Sequence, residues 1–117
     1  MEDSQVFMTP ITREQLHRLK FIGDKLDVKD TRQMKVGDIV TLYVKRFEGI
    51  GYKMPGIYGY GVVSKLENGL ATVTITKFVF DRPLIHLNHL KKYTDCFNRT
   101  SKISRDVMIL LHNLNSN

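Results

Sequence analysis

The stretch KVGDIVTLYVKRFEGIGYKMPGIYGYGVV, residues 35–63, decides how the rest of the chain is read, since it places two strand patterns on either side of a long loop. Val40, Leu42 and Val44 alternate with Ile39, Thr41 and Tyr43, the period-two pattern of a pleated strand, and β-branched and aromatic residues dominate it. Gly37 and Asp38 open this strand as a turn pair. Five of the eight glycines and three of the five tyrosines fall between Gly49 and Gly61, beside Lys45, Arg46, Phe47 and Lys53. Backbone freedom, aromatic faces and positive charge together suit a close approach to a polyanion with stackable bases. The same composition also describes a hairpin loop whose lysines serve only solubility.

Downstream, Leu66-Glu67-Asn68-Gly69 is an Asn-Gly turn between two strand patterns, a strong hairpin signal. The strand that follows spans Leu70 to Phe80. Val73 and Ile75 face one side and the threonines 72, 74 and 76 the other, until Lys77, Phe78 and Phe80 invert the phase. Either a bulge shifts the register there or the strand passes between packing environments. Asp81-Arg82-Pro83 ends it, and Leu84, Leu87 and Leu90 lead into a short helix or turn around Asn88 to Tyr93. Thr94 to Lys102 is polar and basic. Ser104 is a candidate cap for a final helix with Asp106 in its first turn and an apolar face at Val107, Met108, Leu110, Leu111 and Leu114.

Upstream, Val6 to Thr9 reads as a brief strand whose exit is fixed by Pro10. Thr12 and Gln15 have the capping-box form, Leu16 and Leu19 give the helix an apolar stripe, and Gly23 is its expected stop. Asp24 to Lys35 reads as a loop with at most one helical turn. Its aspartates, Asp24, Asp27 and Asp30, read as a solvated face; they lack the glycine and final glutamate of a calcium loop.

The 117 residues amount to one domain, 1–117, with a core over about 5–114, and a monomer is expected. Charged residues at 26% and hydrophobic residues at 42% are ordinary globular values. No apolar run reaches the length of a bilayer span, and the acidic start MEDSQVF lacks the form of a signal peptide. With one cysteine, Cys96, and no possible internal disulfide, an intracellular location is expected, cytoplasmic or nuclear. The net charge is +6 and the pI near 9.6, with the excess beginning after residue 30. Residues 31–65 carry six Lys or Arg against two acids, and 66–117 seven against four. Nucleic acid is the commonest partner for such a balance.

Signals for catalysis are weak. No elbow motif joins a serine, histidine and aspartate, and Asp24, Glu48 and Asp81 are isolated carboxylates. His86 and His89 lie three apart but have no acidic or cysteine mate at ligand spacing, so no metal is expected. The glycines at 49, 51, 56, 59 and 61 match neither a phosphate loop nor a dinucleotide fingerprint, and no cofactor is expected.

The order of elements carries a resemblance. Phe7 on a short first strand, Gly37-Asp38 opening a strand that ends Tyr43-Val44, and the glycine-led strand Gly59-Tyr60-Gly61-Val62-Val63 are its first marks. Arg82-Pro83-Leu84, Leu90-Lys91 and Ser104-Arg105 complete them. In this order the chain resembles the EVE domain of the PUA-like superfamily, a relative of YTH and ASCH domains. The resemblance implies an α+β fold, a small mixed five- or six-stranded β-barrel with helices packed at its ends and a basic cleft on one side. It also implies a non-catalytic reader of an unpaired or modified base in RNA or DNA, held on aromatic rings. Phe7 would wall the pocket, with Thr9 beside it on the first strand, and Ser104 with Arg105 would contact base or phosphate. A core place for Phe7 and an ion-paired helix-start place for Arg105 stand as alternatives. By composition alone, Lys45, Arg46 and Lys53 would track the backbone while Tyr52, Tyr58 or Tyr60 line the cleft. The sequence has no tryptophan, which both families place at the pocket, so plain RNA or DNA binding stands beside modified-base reading. The glycine, lysine, glutamate and arginine motif of ASCH domains is absent too. A protein-interaction module that meets an acidic partner through the Gly/Tyr loop is the rival reading.

Overall fold

Strand β3, Ile39–Val44, forms where the alternation places it, and it is buried on both faces. Val40, Leu42 and Val44 enter one apolar cluster, and Ile39 and Tyr43 enter another. The computed structural model describes residues 4–45 and 54–114. Within them β3 pairs in parallel with β1, Val6–Ile11, and antiparallel with β4, Gly56–Glu67. β4 continues through the hairpin into β5, Leu70–Phe78, which pairs with β2, Lys25–Lys29. Two short strands complete a seven-stranded sheet: β6, Ile85–His86, on β4, and β7, Ser101–Ile103, antiparallel to β1. The path runs β2-β5-β4-β3-β1-β7, and the sheet curls into a half-barrel.

The three helices among the described residues are short and cover the sheet. Helix α1, Arg13–His17, starts with the expected capping box: the Gln15 N–H donates to Thr12 Oγ1 at 3.0 Å, and the Thr12 N–H to Gln15 Oε1 at 2.8 Å. Leu16 and Leu19 deliver its stripe to the first cluster, with Phe7, Val63, Val73 and Ile75. Helices α2, Leu87–Leu90, and α3, Asp106–Leu114, cover the second cluster, built on Val6, Met8, Ile57, Ile85 and Ile103. None of the described helices is long and apolar enough to cross a membrane.

Four expectations are revised. The helix ends at His17, well before Gly23. The polar stretch expected as a loop contains β2, an edge strand whose Leu26 and Val28 turn inward while Lys25, Asp27 and Lys29 stay exposed. With two inward residues, its period is too short to stand out. Pro10 lies inside β1 rather than at its exit; β7 reaches only as far as Met8, so the missing N–H faces no partner strand. Among the described residues the sheet has seven strands rather than the five or six that the resemblance implied, and β2, the two-residue β6 and the three-residue β7 are too short to show a pattern of their own.

Three register shifts shape the curl. Tyr58 is the extra residue of β4 opposite Leu42/Tyr43, so it enters the first cluster while Ile57 and Tyr60 enter the second. Ser64 is a second extra residue, and Thr76 a third, in β5. Thr76 resolves the phase inversion in favour of a bulge: it returns Phe78 to the side of Ile75. The Asn-Gly hairpin forms with both central residues at positive φ, Asn68 at 54° and Gly69 at 79°, the geometry that matches the twist of paired strands.

Candidate nucleic-acid interface

Because β2 and β7 end the strand path and do not pair with each other, the half-barrel has an open seam. At one end of β2 the chain turns through Asp30–Gln33. Asp30 Oδ1 accepts the Arg32 N–H at 2.8 Å and the Asp30 N–H reaches the Gly69 carbonyl at 3.0 Å, which holds Arg32 at φ 69°. Buried Met34 anchors the turn from below. Across the seam, Thr100 and β7 are fixed to β1, with Thr100 Oγ1 lying 2.6 Å from Thr9 Oγ1.

Between these two walls lies a groove of about 570 Å³. Lys29 and Arg32 line it on one side and Arg99 and Lys102 on the other, with Thr100 and Ser101 between the latter two. Asp30 is its one carboxylate, occupied in holding the turn. All four cations are exposed, and among the described residues none of the four has an ion-pair partner. Cys96 sits next to the groove, and the Ser101 hydroxyl, then Arg99, hold its thiol below the ordinary cysteine range. The arrangement offers four exposed cationic side chains along one open slot, which suits an extended chain of phosphates or carboxylates.

The residues that sequence and resemblance put forward are dispersed. Phe7 and Tyr58 are fully buried, so both belong to the core and neither walls an open cleft; the Tyr58 hydroxyl donates to the Met54 carbonyl at 2.6 Å. Thr9 is 3% exposed and its hydroxyl is taken up by Thr100, so it braces the groove wall without lining it. Tyr60 is half-buried against the second cluster. Lys45 is exposed at the carboxyl end of β3, beside a cleft of about 390 Å³ formed with Pro10, Arg13, Gln15 and Val44. Ser104 and Arg105 lie at the opposite end of the β1/β3 pair, where Arg105 borders a groove with Val6 and Ile39. Six residues of β3 separate the two ends, roughly 16 Å at strand rise, so Lys45 and Arg105 do not share one pocket. Ser104 Oγ accepts the Asp106 N–H at 3.2 Å, as a cap should. Arg46, Tyr52 and Lys53 lie outside the described residues.

The glycines also change meaning. Gly56, Gly59 and Gly61 are strand residues of β4, and a Cβ at Gly61 would overlap the Thr74 carbonyl oxygen, so close strand approach explains them. The aspartates of 24–30 are each spent locally: Asp24 on the Lys20 and Phe21 amides, Asp27 on the Thr72 hydroxyl, Asp30 on its turn. His86 and His89 line one cavity near Arg82, but among the described residues no three metal-ligating side chains cluster. His86 Nδ1 instead caps α2 by accepting the Asn88 N–H at 3.1 Å.

Sequence reasoning missed Lys29, Arg32, Arg99 and Lys102. The basic stretch before Lys102 was visible, but its meeting with 29–33 depends on β7 pairing with β1, for which a three-residue strand gives no signal. No family model matches the chain, and no curated protein matches it. Among solved structures, the fold is similar to that of a hypothetical protein from Leishmania major, with a TM-score of 0.58, 17% identity, and coverage of 96% of this chain and 97% of that one.

Proposed function

We propose that this chain is a non-catalytic, intracellular nucleic-acid-binding domain of the PUA-like class, and that it holds the phosphates of a single strand, RNA or DNA, in the seam groove. The observation that carries the reading is the convergence of Lys29, Arg32, Arg99 and Lys102 on one groove. Among the described residues none of the four has an ion-pair partner, which supports it, because four cations stand there against the one carboxylate of Asp30. The curled mixed sheet supports the PUA-like assignment, and an unpaired base, plain or modified, is the natural cargo of such a domain.

The test is fluorescence anisotropy with short single- and double-stranded RNA and DNA, plain and methylated, each titrated with salt. Binding that falls with salt and prefers single strands is expected. Replacing the four cations by alanine should flatten the log–log slope by roughly three units, at about 0.7 per phosphate contact on a single strand. An unchanged slope would remove the groove from the reading. A second reading has one observation in its favour: the free edges of β2 and β7 flank the groove and could pair with an extended acidic peptide. Binding to an acidic peptide that survives nuclease, with none to any oligonucleotide, would establish that reading instead.

A further inference from the structure

The turn between α1 and β2 presents two large apolar side chains to water. Phe21 is 74% exposed and Ile22 63%, next to each other in sequence. A loose loop would spread such residues over many conformations, but this turn is fastened at several points. Asp24 Oδ2 accepts the Lys20 N–H at 2.7 Å and the Phe21 N–H at 3.0 Å, and these bonds hold its carboxyl below the usual range. The Asp24 N–H reaches the Phe21 carbonyl at 3.1 Å. The Gly23 N–H donates to the Ile75 carbonyl, and the Ile75 N–H to the Asp24 carbonyl, both at 2.8 Å. None of these bonds uses the side chain of Phe21 or Ile22, so the aromatic ring stands on a fixed base.

Its surroundings are basic. Arg18, Lys20 and Lys25 are exposed around the turn, and the edge strand β2 runs from it with Lys25 and Lys29 exposed on its outward face. Asp27, between them, is engaged by the Thr72 hydroxyl at 2.8 Å. The far end of β2 is the wall of the seam groove, about 16 Å from the turn at strand rise. A stacking ring, a row of cations and a phosphate groove therefore lie along one edge of the sheet. Single-strand binding surfaces combine these parts, since every base offers a π-face and every nucleotide a phosphate.

We propose that Phe21 is a base-stacking platform of this domain, with Ile22 beside it, and that a single strand runs along β2 from this ring to the seam groove. The inference rests on the nucleic-acid reading above. It moves the stacking role from the buried Phe7 to a residue that the family resemblance does not mark.

The sequence contains no tryptophan, so Phe21→Trp makes the platform the single indole of the full-length chain, excited selectively beyond the absorption of its five tyrosines. The Trp variant is titrated with a single strand of about ten nucleotides, a length within the range one small domain covers. It is also titrated with an abasic strand of equal length and with phosphatidylserine vesicles. Quenching by the ten-mer but not by the abasic strand is expected. Phe21→Ala should weaken the ten-mer about tenfold and leave the abasic strand unaffected, with circular dichroism confirming the fold. Unquenched fluorescence on a ten-mer that anisotropy shows to be bound would overturn the platform and leave the groove standing. Equal losses on both strands would do the same. No binding of the ten-mer by the wild-type chain would overturn the nucleic-acid reading itself, and a blue shift on vesicles alone would assign the ring to a membrane surface.

Discussion

Cys96 reports on the seam at the scale of one residue. Its thiol is 4.0 Å from the Arg99 carbonyl, and the Ser101 hydroxyl followed by Arg99 lowers its pKa against the opposing effect of burial. The thiolate is the reactive form, so a lowered pKa gives more thiolate at neutral pH than the usual value near 8.5 allows. Alkylation by iodoacetamide against pH should therefore show a midpoint below that of an unstructured cysteine peptide. Ser101→Ala should move it back up. A bound phosphate near Arg99 stabilises the neutral thiol, so an oligonucleotide should also raise the midpoint and slow alkylation at pH 7 severalfold. A midpoint equal to the peptide's, with or without oligonucleotide, would mean that Ser101 and Arg99 do not act on Cys96. Single residues were legible in the sequence where the partner is close along the chain. Thr12 with Gln15 and Ser104 with Asp106 were read correctly as caps; Asp38 was read only as half of a turn. Its carboxylate in fact accepts the Gln5 and Lys35 amides and the Gln5 side chain, which closes the turn onto the start of β1.

Elements were legible in proportion to their length and to the contrast between their faces. β3, β5 and the Asn-Gly hairpin satisfied their own local rules, and the structure keeps them. β2 has one apolar face of two residues, and β7 has three residues in all, so both take their conformation from the strand next to them. The glycines of β4 show the same dependence on partners: read alone they signal a pliable loop, and read against β5 they are contact points. Gly61→Ala should be severely destabilising, because the added methyl meets the Thr74 backbone oxygen and the Val73 side chain and β4 and β5 must part. A loss of about 3 kcal/mol is expected by analogy with other overpacked core positions, or roughly 10 °C in melting temperature. Leu70→Ala, exposed at the hairpin end of the same strand pair, should cost less than 1 kcal/mol. Equal melting temperatures for the two variants would show that β4 and β5 can separate freely at Gly61.

At the scale of the molecule, the question is whether the +6 charge acts as a diffuse field or through one place. Composition placed contacts on the Gly/Tyr loop and the family resemblance placed them at the final helix start, and the structure sets Lys45 and Arg105 at opposite ends of the β1/β3 pair. The seam instead gathers cations from positions 29 to 102, a sequence separation that no motif could bridge, because only the order of strands in the sheet brings its walls together. Two variants with equal net charge decide between field and groove. One replaces Lys29, Arg32, Arg99 and Lys102 by alanine; the other replaces Lys35, Lys65, Lys91 and Lys92, exposed lysines that do not line the groove. A diffuse field responds to the sum of charges and is screened over about 10 Å at 0.1 M salt, so both variants would then lose affinity and salt slope alike. Local contacts respond to position. The groove variant should lose most of the salt dependence on a single strand, while the distributed variant keeps its slope within one unit and loses mainly association rate. The Lys65–Glu67 pair is exposed at 64% and 58%, so its removal should leave the fold intact and the comparison clean. Matched losses in the two variants would make the domain a general polycation and return the groove to an accident of the half-open sheet.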